Sequence, residues 1–306
     1  MKIGLVCPYH IFKGGGVQEC VFALQKELEA RGHVARIITP LPRDVDDAAD
    51  AHECIDFVGT SANVKSPFHT TAQVSVSLDL TAMAEMLDRE QFDVLHFHEP
   101  WVPIMSRQLL TQSDTVNIAT FHAKLPETVM SKTIERVVTP YTKSVLKYLD
   151  SFTAVSDAAA QYVRTVTDEP ITIVPNGIDL TKYQPVPTRK VPAAPTITYL
   201  GRLEKRKGVK LLLKAFALYA DRHPAAKLVI AGDGPDRSKL EQFVLEERVP
   251  NVTFLGYITE KEKQQLLAKT DLFCSPALYG ESFGIVLLEA MAKGIVTLAG
   301  DNPGYA

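Results

Sequence analysis

Short apolar runs alternate along the chain with longer stretches in which apolar residues recur every three or four positions. The runs 2–7 (KIGLVC), 34–39 (VARIIT), 54–58 (CIDFV), 93–97 (DVLHF), 116–120 (VNIAT), 152–155 (FTAV) and 171–174 (ITIV) predict strands. The longer periodicity predicts helices near 17–31, 81–90, 132–149 and 157–166. Nearly continuous apolar strands interleaved with helices predict a parallel sheet covered on both faces. The stretch 184–195 then interrupts the pattern with Pro185, Pro187, Pro192 and Pro195. Proline removes backbone donors and turns the preceding residue away from the helical region, so this stretch reads as a linker. The alternation restarts with strands near 196–200 (TITYL), 227–231 (KLVIA), 252–255 (VTFL), 271–274 (DLFC) and 294–299 (GIVTLA). Helices fall near 208–221, 236–248, 259–269 and 284–293. The expected fold is α/β, with one domain over 1–185 and a second over 186–306. The second half is the shorter and stops at Ala306 soon after a strand, so the second domain is expected to be incomplete at its C-terminus.

Composition narrows the class. With 306 residues, 46% of them hydrophobic and 23% charged, the chain is neither disordered, collagenous nor a coiled coil. Thirty-three Lys and Arg against 36 Asp and Glu leave a net charge of −3, which weighs against a general nucleic-acid binder. No apolar run reaches the roughly 18–20 residues that span a bilayer, and the start, MKIGLVCPYH, lacks the features of a signal peptide. Cys7, Cys20, Cys54 and Cys274 form no CxxC pair, so a reduced, cytoplasmic protein is expected.

Ligands of open parallel sheets bind at the carboxyl ends of strands, and two such domains face to face make a cleft. Five loops at strand ends carry candidate chemistry. Gly14-Gly15-Gly16-Val17-Gln18 opens a helix, where glycine lets the backbone approach an anion and the free N–H groups attract it. It is neither a dinucleotide fingerprint, because Glu19 stands where the third glycine belongs, nor a P-loop. In HFHEPW, His96 reads as a packed strand residue and His98 as cleft-facing; HxHE without an evident third ligand does not argue for metal. His122 in ATFHAK is either a satisfied core histidine or a partner for a substrate hydroxyl. In Gly201-Arg202-Leu203-Glu204-Lys205-Arg206-Lys207-Gly208, four cations precede a helix, an odd place for positive charge unless a polyanion sits there. Finally, Glu281 and Glu289 in GESFGIVLLE lie eight residues apart. At helical rise they are ~12 Å apart. That is too far for a paired-carboxylate glycosidase, which needs about 5–9.5 Å, and close to the reach from a sugar to the ribose of a nucleotide diphosphate.

Taken in order, the five loops resemble glycosyltransferase family 4, of the GT-B fold. The E-x7-E pair Glu281 and Glu289, the loop GRLEKRKG and the segment NGID at 176–179 match that family's motifs; CPYHIFKGGGVQ, DVLHFHEP and ATFHAK resemble the bacterial phosphatidylinositol mannosyltransferases. The resemblance implies two Rossmann-like domains facing a central cleft and a retaining hexosyl transfer from a nucleotide sugar, without metal or other cofactor. It implies that Arg202 and Lys207 neutralise the leaving diphosphate, which is transition-state stabilisation by fixed charge. It further implies that Glu281 holds sugar hydroxyls, Phe283, Gly284 and Ile285 present backbone groups, and Glu289 holds the ribose. Gly15 and Gly16 then lie against diphosphate and acceptor, with Tyr9, Gln18 and His98 lining the substrate site. His122 contacts the donor sugar, and Ile258 and Lys263 stand at the base.

The donor expected from the narrower match is GDP-mannose and the acceptor a lipid or glycan, with no nucleic acid involved. The location implied is the cytoplasm, with weak peripheral contact at the inner face of the plasma membrane. One segment departs from the inositol mannosyltransferases, which carry a basic amphipathic stretch there. Residues 61–90 hold only Lys65 and Arg89 against Asp79, Glu85, Asp88 and Glu90. Competing readings are a UDP-sugar-dependent transferase of the same family, a nucleotide-sugar epimerase and a non-catalytic nucleotide-sugar binder.

Overall fold

The structure, a computed structural model, describes residues 1–12, 15–41, 54–65, 71–77, 80–124, 138–185, 192 and 194–305, with the backbone alone for 61–65 and 71–77. Gly14, the start of the helix expected at 132–149, most of the linker 184–195 and Ala306 lie outside the described residues. The chain divides into two compact units, Met1–Asn176 and Gly177–Ala306.

The first unit runs β1 (Lys2–Val6), α1 (Gly16–Ala30), β2 (Val34–Leu41), β3 (Ile55–Lys65), β4 (Thr71–Ser77), α2 (Leu80–Glu90), β5 (Val94–His98), α3 (Met105–Gln112), β6 (Val116–Phe121), α4 (Thr139–Leu146), β7 (Ser151–Ala154), α5 (Asp157–Val163) and β8 (Ile171–Ile173). Its sheet order is β4-β3-β2-β1-β5-β6-β7-β8. Leu5 and Val6 of β1, Ile37 and Ile38 of β2, and Leu95 and Phe97 of β5 are fully buried. Side chains buried on both faces of these central strands explain why they read as continuous apolar runs. The chain leaves β1 towards β2 and returns to β5 on its other side. The strand order therefore reverses between β1 and β5, where an open α/β sheet binds its ligand.

The second unit runs β9 (Thr196–Leu200), a 3₁₀ turn at Lys205–Lys207, α6 (Val209–Ala220), β10 (Lys227–Ala231), α7 (Arg237–Glu246), β11 (Val252–Gly256), α8 (Glu260–Leu267), β12 (Leu272–Ser275), α9 (Ile285–Ala292) and β13 (Val296–Ala299). All its strand pairs are parallel, in the order β11-β10-β9-β12-β13. Its switch point lies between β9 and β12. The loop GRLEKRKG leaves β9 and the loop carrying Glu281 leaves β12, so both candidate loops stand at that one point. Tyr199, Leu213, Phe216, Leu228 and Ile230 form the core beneath them.

The structure corrects the expected pattern in three places. The first sheet is not wholly parallel, because β3 extends to Lys65 and pairs antiparallel with β4. The sequence TAQVSVS alternates polar and small apolar residues, and 54–58 alone was expected there. The helix α3 was not expected: only Met105, Leu109 and Leu110 give its apolar stripe, too few for a clear period. The division between units also falls before the expected boundary after 185. Asp179 accepts from Thr181 N–H and Oγ1 (3.0 and 2.5 Å), making a tight turn that delivers Tyr183 into the second unit's core with Leu267, Phe273 and Leu287.

Candidate functional site

Each unit carries most of its candidate residues in the loops and helix starts that follow its strands, and the two groups are described separately. In the first unit, Gly15 caps α1 in extended backbone (φ −175°). A Cβ there would lie 2.6 Å from Oε1 of Gln18, whose Nε2 donates to the carbonyl of His10 (3.2 Å). Gln18 thus braces the loop, with its side-chain amide against Gly15. Gly15 and Gly16 are exposed at the helix start, the place suited to an anion. Tyr9 is half-buried nearby, and its carbonyl accepts from Thr39 Oγ1 (2.9 Å). Burial drives its phenol well above the usual range, with Glu99 adding to the shift.

The HFHE segment and His122 form one cluster. His96 and His98 project to the same face of β5 and stack at 4.4 Å; His98 stacks in turn on His122 at 5.2 Å. His98 Nδ1 and His122 Nε2 share a hydrogen bond of 2.9 Å, and His96 Nε2 meets Thr120 Oγ1 at 2.7 Å. Burial drives His96 down to about 4, His122 to about 3 and His98 well below its normal range, so all three rings are neutral at neutral pH. His98, expected to face the cleft, is buried between the other two rings and meets His122. Glu99 follows in left-handed backbone (φ +54°), and its Oε1 accepts the N–H groups of His122 and Ala123 (the latter 2.6 Å). Burial pushes its carboxyl up to about 7, against the pull of those two donors.

A third donor absent from the sequence reading joins this cluster. Cys20 of α1 brings its sulfur within 4.8 Å of a ring nitrogen on each of His98 and His122. The set is one that transition metals favour. However, His98 Nδ1 and His122 Nε2 face each other, and burial raises the Cys20 thiol to about 11. His98 and His122 are organised as a neutral hydrogen-bonded pair.

In the second unit, Gly208 ends the 3₁₀ turn at φ +71°, with a Pro276 carbonyl oxygen 2.1 Å from where a Cβ would stand. That close approach, and the bond from Leu278 N–H to Arg206 O (2.8 Å), lock the basic loop to the loop after β12. Glu281 is 7% exposed, and its Oε1 accepts from Arg206 Nη1 (2.8 Å) and Lys207 Nζ (2.7 Å). Burial lowers the Lys207 ammonium below its usual range despite Glu281. Arg202 is the more exposed cation and pairs with Glu204 at 3.0 Å. Arg206, not singled out from the sequence, is thus the arginine that grips Glu281. The basic spacing marked the loop without saying which side chain turns inward. Tyr305 was also missed; its hydroxyl meets Ser275 Oγ at 2.8 Å and its ring packs beneath Gly284. Phe283, Gly284 and Ile285 form the half-buried start of α9, with Gly284 at φ +85°.

Glu289 lies inside α9, 4% exposed. Its Oε1 accepts from Lys263 Nζ (2.6 Å) and from Tyr183 OH (2.6 Å). Lys263 also reaches Glu260 Oε2 at 2.7 Å. Burial lowers its affinity for the proton, but Glu289 and Glu260 more than offset this and raise its pKa overall. Ile258 is half-buried in the loop before α8, which opens with a capping box of Thr259 and Glu262. Lys263 is thereby placed on the carboxylate expected to hold a ribose.

The two units also match known families. The model for Glycosyltransferase Family 4 matches residues 14–182, and that for Glycosyl transferases group 1 matches 184–306. A phosphatidyl-myo-inositol mannosyltransferase of Mycolicibacterium smegmatis is 30% identical, over 100% of this chain and 77% of that protein. One from Propionibacterium freudenreichii is 32% identical over 98% and 77% respectively. Among solved structures, Anabaena HepE in complex with UDP and glucose superposes with a TM-score of 0.74 at 20% identity, over 99% of this chain and 82% of that one. Sucrose-phosphate synthase of Thermosynechococcus elongatus gives 0.75 at 22% identity, over 97% and 80%. The architecture of two Rossmann-like units is thus that of the GT-B fold. The chain belongs to glycosyltransferase family 4, and its full length is similar to phosphatidyl-myo-inositol mannosyltransferases.

Proposed function

We propose that the chain is a retaining, metal-independent mannosyltransferase that moves a mannosyl group from GDP-mannose to a lipid or glycan acceptor. The observation that carries this is the joined placement of Arg206, Lys207 and Glu281 at the second unit's switch point, in a chain with mannosyltransferase relatives. Arg202, Arg206 and Lys207 set fixed positive charge where a diphosphate leaves, and fixed charge needs no reorganisation at the moment of reaction. Glu281 accepts from sugar hydroxyls, and Glu289 from the ribose. In the first unit, the exposed N–H groups at Gly15 and Gly16 receive phosphate or acceptor oxygens. The neutral His122 serves as a hydrogen-bond partner to the sugar and not as a base.

In the proposed step the acceptor hydroxyl attacks the anomeric carbon on the face from which the diphosphate departs. A carbon–oxygen bond forms to the acceptor, the bond to the β-phosphate oxygen breaks, and that oxygen takes the acceptor's proton. The reaction takes place at the inner face of the plasma membrane, with weak peripheral contact. The UDP held by the HepE structure supports a second reading, a UDP-sugar donor on the same machinery. A thermal-shift screen with GDP-mannose, UDP-glucose, UDP-N-acetylglucosamine and UDP-galactose separates them, because a ligand that binds the native state raises the melting temperature by mass action. A shift with GDP-mannose alone, followed by its turnover, is expected. A shift with UDP-sugars alone discards the mannosyl assignment, and no shift with any of them overturns the reading.

A further inference from the structure

The second unit holds one buried carboxylate in an asymmetric way. Both strong donors on Glu289 converge on Oε1: the Tyr183 hydroxyl and the Lys263 ammonium, each at 2.6 Å. Its Oε2 is buried, and among the described residues no donor reaches it. A buried carboxylate oxygen costs free energy unless a donor reaches it. Both donors also face Glu260: the ammonium of Lys263 reaches its Oε2 at 2.7 Å with protons to spare, whereas the Tyr183 hydroxyl lies 3.2 Å from its Oε1 and has one proton, which the shorter 2.6 Å approach commits to Glu289. Tyr183 is the rigid partner. Its ring is 5% exposed, packed among Leu267, Phe273, Leu287, Ala290 and Ile295, with Lys263 and Lys293 ammonium groups 5.8 and 6.0 Å from its centroid. Its hydroxyl is a standing donor, because burial and the neighbouring carboxylates Glu289 and Glu260 keep it protonated.

We propose that Tyr183 is a positioning residue for nucleotide recognition: with Lys263 it pins Oε1 of Glu289, so that Oε2 is the oxygen left to accept from a ribose hydroxyl. The proposal rests on the reading of Glu289 as the ribose partner. Tyr183 touches no ligand in this scheme and acts only through Glu289. It also gives the segment 177–185, which the sequence assigns to the first domain, a task in the second.

The test measures affinity of the full chain for a nucleoside diphosphate and for its 2′,3′-dideoxy analogue, using whichever of the guanosine and uridine forms binds more tightly. The wild type should prefer the natural ligand by on the order of tenfold, the scale of hydrogen bonds to a charged group. Tyr183→Phe keeps the ring and its packing. It should weaken the natural ligand by roughly three- to tenfold, leave the dideoxy analogue unchanged within about twofold, and so erase most of the preference. A 4-aminophenylalanine at position 183, which returns an N–H donor to the same place, should restore it. A purely structural role would weaken both ligands together, and that result overturns the proposal. Discrimination undiminished in the phenylalanine variant overturns it while leaving Glu289 on the ribose. A wild type that binds both ligands equally, or neither, overturns the ribose reading and the proposal with it.

Discussion

Glu99 is a carboxyl whose fate depends on one proton. Burial raises its pKa from 4.5 to about 7, so between those values the folded chain holds a proton that the unfolded chain has lost. Stability from this group is therefore fullest at low pH and falls as pH rises through 7. Glu99→Gln keeps an oxygen for the N–H groups of His122 and Ala123 but does not titrate. The three neutral histidines, which destabilise the fold as pH drops below their normal range, are common to both proteins and cancel in the difference. The variant should match the wild type near pH 5 and be the more stable of the two near pH 8, by roughly 1–3 kcal/mol. Thermal melts at both pH values check this, and a difference that stays flat between them contradicts the assigned environment. Glu99 also shows what the sequence conceals. HFHEP placed a carboxylate at a strand end but not its left-handed backbone, which turns the side chain inward onto the loop after β6. Period-two logic put His96 and His98 on one face correctly. It gave no sign that His122 from the next strand would close over them, because neighbouring strands are set by topology.

The loop–helix junctions after β9 and β12 turn the second unit's sequence motifs into geometry. The sequence reading gave Gly208 no role of its own and Gly284 only backbone groups to present; the structure adds that both are required for conformation, at φ +71° and +85°. Gly284→Ala would force a Cβ to within 2.6 Å of Tyr305 Cε1 and strain the backbone as well. It should destabilise the fold by about 1–3 kcal/mol and lower the melting temperature by several degrees. A melt within about one degree of wild type would show that the junction relaxes freely. Lys207 is the other lever at this junction. Under the transferase reading, Lys207→Ala should lower kcat by about 10²–10³-fold, the scale of one preorganised electrostatic group. A loss below threefold would remove it from the chemistry. Most elements were legible because buried parallel strands and amphipathic helices leave strong periods. The antiparallel β3–β4 pair and α3 were not: strand alternation in TAQVSVS uses small, polar residues, and α3 has only two turns of pattern. The interior choice of Arg206 over Arg202 was equally hidden, since the spacing of four cations is the same whichever one turns towards Glu281.

The charge of the whole chain bears on how it would meet the lipid form of the proposed acceptor. No helix among the described residues is long and apolar enough to cross a bilayer. The relatives are, by their names, phosphatidyl-myo-inositol mannosyltransferases, and the function proposed above includes a weak peripheral contact with the membrane. Electrostatic recruitment gains about 1 kcal/mol for each Lys or Arg held near an anionic leaflet. The chain as a whole carries −3, and 61–90 offers Lys65 and Arg89 against four carboxylates. Two of those opposed charges are already engaged within the fold: Glu90 pairs with Lys2 at 2.7 Å, and Arg89 reaches Asp56 at 2.9 Å. The segment thus has few cations with which to draw the protein to anionic lipid. Sedimentation with vesicles rich in anionic lipid should therefore be weak, no greater than with neutral vesicles, and unchanged between low and high salt. Screening at high salt acts on exposed charges beyond the Debye length, so a charge-driven association would weaken visibly. A strong preference for anionic vesicles that salt abolishes would overturn this expectation and place a basic docking surface elsewhere on the chain.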